Sequence, residues 1–278
     1  MMGAVVSFVA MAVAGRALLT DMNTFELMLY RSLVGFAIVS LVIALGDAGF
    51  SQVRTTHFGL HLKRNLFHYT GQNLWFFAVA IIPLSQLVAL EFTNPIWVAL
   101  LAPLLLGEAL TRTRLLGALL GFAGVIVVAQ PGQAPLEPGH FAALASAVCF
   151  ALNTIFTRQI MRFDRVLCVL FWMTLLQGSA SLLLSLPGGV PLPTSENIVW
   201  ILVVGVTGLS AHYSLTSALG HAPASIVAPM EFIRLPLIAV VGTLLYGEDL
   251  RVSVFVGAAL IITGNLVNLR AETRRARA

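Results

Sequence analysis

Lysine occurs once in this chain, at Lys63, directly after Leu62. A Walker A phosphate loop needs a Gly-Lys pair, so primary active transport within this chain is excluded. Charge of either sign is scarce: 10% of residues are charged and 58% apolar, with a mean hydropathy of +0.92. A water-soluble domain keeps a charged surface; lipid is the solvent that suits this composition. Cysteine is nearly missing as well. Cys149 and Cys168 both fall in apolar segments, which argues against a disulfide framework and gives no metal-site spacing. No His-Glu-x-x-His, paired aspartates, Gly-x-Ser-x-Gly or carboxylate-rich cluster is present, so neither an enzyme nor a cofactor is expected. Nor is there a long polar loop, so no soluble domain is inserted.

What the chain has is apolar runs of spanning length. A spanning helix with its loop takes about 25 residues, so 278 residues hold about ten spans. Helices are predicted at 2–19, 25–45, 59–81, 84–106, 113–130, 138–160, 166–186, 197–219, 224–246 and 252–270. The breaks carry turn chemistry, as at Asp21-Met22-Asn23, Gln130-Pro131-Gly132, Pro187-Gly188-Gly189 and Gly220-His221-Ala222-Pro223. Met1 leads almost at once into apolar sequence without a basic n-region, so the first run is expected as a retained helix rather than a cleaved signal.

Lys+Arg exceed Asp+Glu by 16 to 12. The arginines are scattered between apolar runs, which speaks against a nucleic-acid surface. Topology accounts for the excess. With ten spans and both termini cytoplasmic, the inside loops and tail hold Arg54, Lys63, Arg64, Arg112, Arg114, Arg158, Arg162, Arg165, Arg270, Arg274, Arg275 and Arg277, whereas the outside loops hold only Arg251. The expected location is a bacterial-type inner membrane, with residues 271–278 a basic cytoplasmic tail.

A shift of 140 residues without a gap aligns residues 80–128 with 220–268 at fifteen of 49 positions. The identities include Pro83/Pro223, Ser85/Ser225, Glu91/Glu231, Phe92/Phe232, Gly107/Gly247, Glu108/Glu248, Gly117/Gly257 and Gly124/Gly264. Residues 1–130 and 138–270 are therefore two five-helix repeats. Five is odd, so the second repeat enters the membrane upside down, which is the plan of secondary transporters with a site at the repeat interface. The fold expected is all-α, with ten transmembrane helices in two inverted halves.

The run Leu105-Leu106-Gly107-Glu108 and its partner Leu245-Tyr246-Gly247-Glu248, each followed by a Gly-rich helix and preceded by a mid-helix proline (Pro95, Pro236), resembles the EamA-type carriers of the drug/metabolite transporter superfamily. The resemblance covers nearly the whole chain and is not specific to a substrate. It implies a central cavity lined by predicted helices 1, 3, 4, 6, 8 and 9, with helices 5 and 10 outside it.

Charges inside spans each cost roughly 2.5–3.5 kcal/mol at a helix centre and are functional candidates by default. They are Arg31, Glu91, Glu231 and Arg234. By depth, Arg31 is expected near Glu91 at one level and Arg234 near Glu231 at the other. The glutamates would bind a cationic group or take up a proton, and Arg234 would hold a carboxylate or phosphate; the alternative is buried ion pairs that fix packing. Arg64, His68, Gln72 and Trp75 share one helical face, and His212 and Tyr213 lie on the matching helix, together giving a candidate cavity wall or interhelical hydrogen bonds. Asn94 stands where the second repeat has Arg234. Tyr30, Asn153 and Trp172 are weaker candidates. Arg16 is expected to snorkel to the headgroups, Glu108 and Glu248 to cap turns, and Gly117-x-x-x-Gly121 to allow close helix approach.

The function expected is a secondary carrier of a small organic metabolite, amino-acid-like or zwitterionic, working by alternating access with proton coupling or exchange. A lipid-handling flippase or a channel is the alternative, and an intramembrane enzyme a weaker one. The asymmetric Asn94/Arg234 pair argues against a symmetric pore. Expected partners are the substrate, the bilayer and, as an option, a second copy of the chain.

Overall fold

The computed structural model describes residues 2–106, 111–130, 135–221 and 231–277. Among these residues there is no strand, and eleven α-helices follow one another: α1 (Met2–Leu18), α2 (Thr24–Leu45), α3 (Phe58–Ile81), α4 (Leu84–Glu91), α5 (Asn94–Leu106), α6 (Arg112–Ala129), α7 (Pro138–Ile160), α8 (Val166–Ser185), α9 (Ser195–His221), α10 (Arg234–Tyr246) and α11 (Val252–Arg277). Short 3₁₀ turns cover Gly49–Val53 and Leu186–Gly188. Six stretches are long and apolar enough to cross a membrane by length and composition: Thr24–Leu45, Leu84–Leu101, Pro138–Ile160, Val166–Gly188, Ser195–Leu215 and Val252–Ala271. Three more apolar helical stretches are shorter: Met2–Leu18, Leu115–Ala129 and Arg234–Tyr246. Glu108, Gly107, Pro131, Gly132, Ala222, Pro223 and the start of the predicted 224–246 helix lie outside the described residues.

Local chemistry explains the boundaries. Asn23 starts α2 with a capping box: its side chain accepts from the amides of Phe25 and Glu26 at 2.9 and 3.0 Å, and Glu26 accepts from the Asn23 amide at 2.9 Å. Pro138 opens α7, where its missing amide would have had no partner. α11 continues through the basic segment after 270 to Arg277.

The predicted helix 84–106 is two helices. The chain turns at Phe92-Thr93 between α4 and α5, because Pro95 offers no amide to the Glu91 carbonyl one turn back. A neighbour takes up the next carbonyl: Asn265 Nδ2 of α11 donates to Phe92 O at 2.8 Å. The same turn recurs 140 residues later, with Glu231 helical, Phe232-Ile233 turning and Arg234 opening α10 ahead of Pro236.

Packing follows the repeat. α6 packs most extensively on α11 and α2 on α8, each against its own counterpart in the other half. α1 packs on α9 and α3 on α7, a pair of contacts that the 140-residue shift exchanges. Many large apolar residues are left exposed, among them Leu104, Leu244, Leu183, Leu66 and Ile126. An outer surface of that kind would aggregate in water and suits hydrocarbon.

At the α6–α11 crossing, glycines bring the backbones together. A Cβ at Gly124 would lie 2.5 Å from the Gly257 carbonyl oxygen, one at Gly257 2.6 Å from that of Gly124, and one at Gly264 against that of Gly117. The shift exchanges these contacts too, since Gly117 maps to Gly257 and Gly124 to Gly264.

Candidate functional site

A cavity of about 190 Å³ opens where the broken helices meet α1, α3, α7 and α9. Helix breaks put residues there that an unbroken helix would direct elsewhere. Glu91 is the last residue of α4, Asn94 the first of α5 and Arg234 the first of α10, and all three line the cavity with Glu231. The α3 face adds His68, Gln72 and Trp75, and α9 adds His212. Of the residues singled out in the sequence for the cavity, Arg31, Arg64 and Tyr213 stand outside its lining. Tyr213 is 54% exposed and faces away. Of the weaker candidates, Asn153 lines the cavity. Tyr30 Oη instead donates to the Pro191 carbonyl, and Trp172 Nε1 to the Val53 carbonyl at 3.0 Å.

The charges pair differently from the expectation by depth. Arg234 Nη2 donates to Glu91 Oε1 at 2.8 Å, joining the two repeats, and Trp75 Nε1 donates to Glu91 Oε2 at 2.9 Å. The Arg234 guanidinium is only 4% exposed and lies between two rings, 4.9 Å from the Phe8 centroid and 5.2 Å from that of Phe92. Phe92 in turn meets its repeat counterpart Phe232 edge-on at 5.0 Å. Glu231 has Oε1 buried without a hydrogen-bond partner. Arg31 does not pair with Glu91, and Arg234 is held by Glu91 rather than Glu231, because the turn at Phe232-Ile233 swings Arg234 across the interface.

Arg16 does not reach toward headgroups. It pairs with Glu248 and donates to the Val79 carbonyl at 2.7 Å and to that of Ile82. Glu248 also accepts the Leu84 amide at 3.1 and 2.9 Å, so it caps α4 in the other half rather than its own turn. This network ties the ends of α1, α3 and α10 to the start of α4. Glu248→Gln should weaken charge-assisted bonds worth roughly 1.5–3 kcal/mol each, lowering the apparent melting temperature of the purified protein by several degrees in a thermal-shift assay; an unchanged melt would dismiss the network as a stabilising element.

Sequence reasoning missed Phe8, Phe150, Thr154 and Leu215 of the lining. The Phe92/Phe232 identity was a signal for the ring cage around Arg234. Nothing marked Phe8 and Phe150 among the 17 phenylalanines.

The model of the EamA-like transporter family matches residues 1–130 and again 137–270. A riboflavin transporter of Rhizobium johnstonii is 29% identical over 243 residues, covering 87% of this chain and 80% of its own length. An S-adenosylmethionine uptake transporter of Rickettsia prowazekii is 22% identical over 255 residues, covering 92% and 86%. A solved crystal structure, 20% identical in sequence, superposes over 100% of this chain and 99% of its own with a TM-score of 0.64, which shows a shared fold.

Proposed function

Because the chain belongs to the EamA-like transporter family and is a transporter rather than an enzyme, we propose that it is a secondary carrier that moves a small organic metabolite by alternating access. In this reading two inverted five-helix halves, with both termini cytoplasmic, rock about the central cavity in a bacterial inner membrane. The substrate is amino-acid-like or zwitterionic, and transport is coupled to protons or runs as exchange.

One observation carries the proposal: the Arg234–Glu91 pair joins the two halves inside the cavity at 2.8 Å. A bond there is worth much in a dry site, and a ligand group that replaces either partner releases one half from the other. An ammonium on the substrate competes with Arg234 for Glu91. Phe8, Trp75 and Phe150 offer flat faces to an aromatic body, which agrees with relatives named for riboflavin and S-adenosylmethionine. The Arg16–Glu248 tie is a second ion pair between the two halves in this conformation. The recurrence of helix breaks and packing partners at 140 residues supports the inverted arrangement.

Glu231, with Oε1 unpartnered, is the carboxylate placed to carry a proton. Glu231→Gln should remove stimulation of uptake by a pH gradient in proteoliposomes and leave counterflow exchange of riboflavin or S-adenosylmethionine intact. A variant that still follows the gradient as the wild type does would rule Glu231 out as the coupling group.

A further inference from the structure

Two buried arginines stand beside the cavity with no carboxylate opposite them. Arg31 of α2 and Arg64 of α3 are each 4% exposed, and both lie within Coulombic reach of each other and of the His68 and His212 rings. Among the described residues neither forms an ion pair with an acid. Two unbalanced charges at this depth are costly, and the hydrogen bonds around them do not lower that cost by neutralisation. Arg64 Nη1 donates to Asn65 Oδ1 at 3.1 Å, and its Nε reaches Thr157 Oγ1 at a long 3.4 Å. Arg31 Nε has no partner.

The amides fix the histidine tautomer. Asn65 Oδ1 accepts from Arg64 and from Gln177 Nε2 at 3.1 Å, so the Gln177 nitrogen is identified as the donor. That nitrogen also lies 2.7 Å from His68 Nδ1, which must then accept. A neutral His68 therefore carries its proton on Nε2, and Nε2 is buried without a partner. The His212 ring stands 4.9 Å from it, nearly perpendicular, with its own Nε2 also unpartnered. Gly208, where a Cβ would come within 2.7 Å of Arg31 Nε, leaves the guanidinium its room. Two unpaired donors, Arg31 Nε and His68 Nε2, thus belong to a doubly cationic cluster bordering the cavity.

We propose that Arg31, Arg64, His68 and His212 form an anion subsite of the cavity, which takes the carboxylate or phosphate of the transported molecule. The inference rests on the carrier reading. It also gives the cavity a direction. Along α3, Arg64 and Trp75 are eleven residues and so about 16 Å apart, with Glu91 and Glu231 at the Trp75 end. A substrate would lie along that stripe, its anion at the arginines and its cationic or polar end at the glutamates. Arg234 stays with Glu91 until the substrate arrives.

The test is thermal shift of purified protein in detergent with sodium phosphate or acetate, against sodium chloride at equal ionic strength. Phosphate should raise the apparent melting temperature by about 2–4 °C, the shift expected of roughly 1 kcal/mol in a chain of this size. Arg31→Gln or Arg64→Gln should lose the shift, Arg64→Lys should keep part of it, and Glu91→Gln, at the opposite end, should keep it. In wild-type proteoliposomes phosphate should also inhibit uptake of S-adenosylmethionine more than of its decarboxylated form, a readout that needs no folded variant. No shift in the wild type, a shift retained in both arginine variants, or one lost equally in Glu91→Gln would overturn the subsite. A shift seen only with phosphatidylglycerol added, and not with soluble anions, would assign the arginines to a lipid headgroup and overturn it as well. If the anion shift holds while no probe shows flux, the subsite stands and the carrier reading fails.

Discussion

Arg234→Gln should abolish uptake in proteoliposomes, by a hundredfold or more, and destabilise the protein at the same time. The guanidinium is held by Glu91 and by the faces of Phe8 and Phe92. Removing it leaves the part-buried Glu91 carboxylate with Trp75 Nε1 as its one remaining donor among the described residues. Breaking one side of a buried pair costs about 3–5 kcal/mol, because an uncompensated charge stays behind. Glu91→Gln alone should be destabilising for the mirrored reason. The double variant Glu91→Gln/Arg234→Gln carries neither charge and should recover most of the lost stability while remaining inactive. That split distinguishes a transport role from a purely structural pair: a structural pair would return activity together with the melting temperature. Uptake by Arg234→Gln at the wild-type rate would remove the pair from the mechanism. Melting temperature and initial uptake rate on the same four proteins settle the matter.

Gly264→Val should yield almost no folded protein. Its Cβ would meet the Gly117 carbonyl oxygen, which is backbone and cannot rotate away, so α6 and α11 would have to separate along the crossing. Overpacking in cores costs about 1–3 kcal/mol where side chains can shift; here they cannot, and the expected loss is larger. Gly124→Leu should act alike through the Gly257 carbonyl oxygen. Gly59→Ala is the control: nothing lies within 4 Å of a Cβ there, so folding should be unaffected. Size-exclusion profiles of the solubilised variants report the outcome, and a monodisperse Gly264→Val peak at wild-type yield would mean that the two helices do not cross as described.

Much of this site was legible in the sequence because membrane burial makes charge expensive. Glu91, Glu231 and Arg234 stood out for being where lipid should have removed them, and all three line the cavity. The stripe His68, Gln72, Trp75 could be read because a helix keeps its own periodicity whatever surrounds it. Arg31 was legible as a buried charge but not as half of a pair with Arg64. Arg64 was read both as the flank of an inside loop and as part of the α3 face, and only the packing of the helices brings its guanidinium within Coulombic reach of Arg31. Arg16 misled for the same reason. Near a helix end a long cationic side chain can turn outward, and nothing local says that Glu248 waits just past the end of α10.

The sequence by itself determined the solvent, the helices and the 140-residue repeat, since hydropathy, periodicity and internal identity are properties of short stretches or of the chain compared with itself. It also placed the prolines at which α4–α5 and the α10 region break. Only the tertiary structure decided which charge meets which. A helix presents its residues by angle as well as depth, and two turns, at Phe92-Thr93 and at Phe232-Ile233, change that angle halfway through. Depth alone therefore pairs Arg234 with Glu231 and Arg31 with Glu91. The turn at Phe232-Ile233 hands Arg234 to Glu91 across the interface, and the packing of α2, α3 and α9 leaves Arg31 within Coulombic reach of Arg64, with no acid paired to either among the described residues.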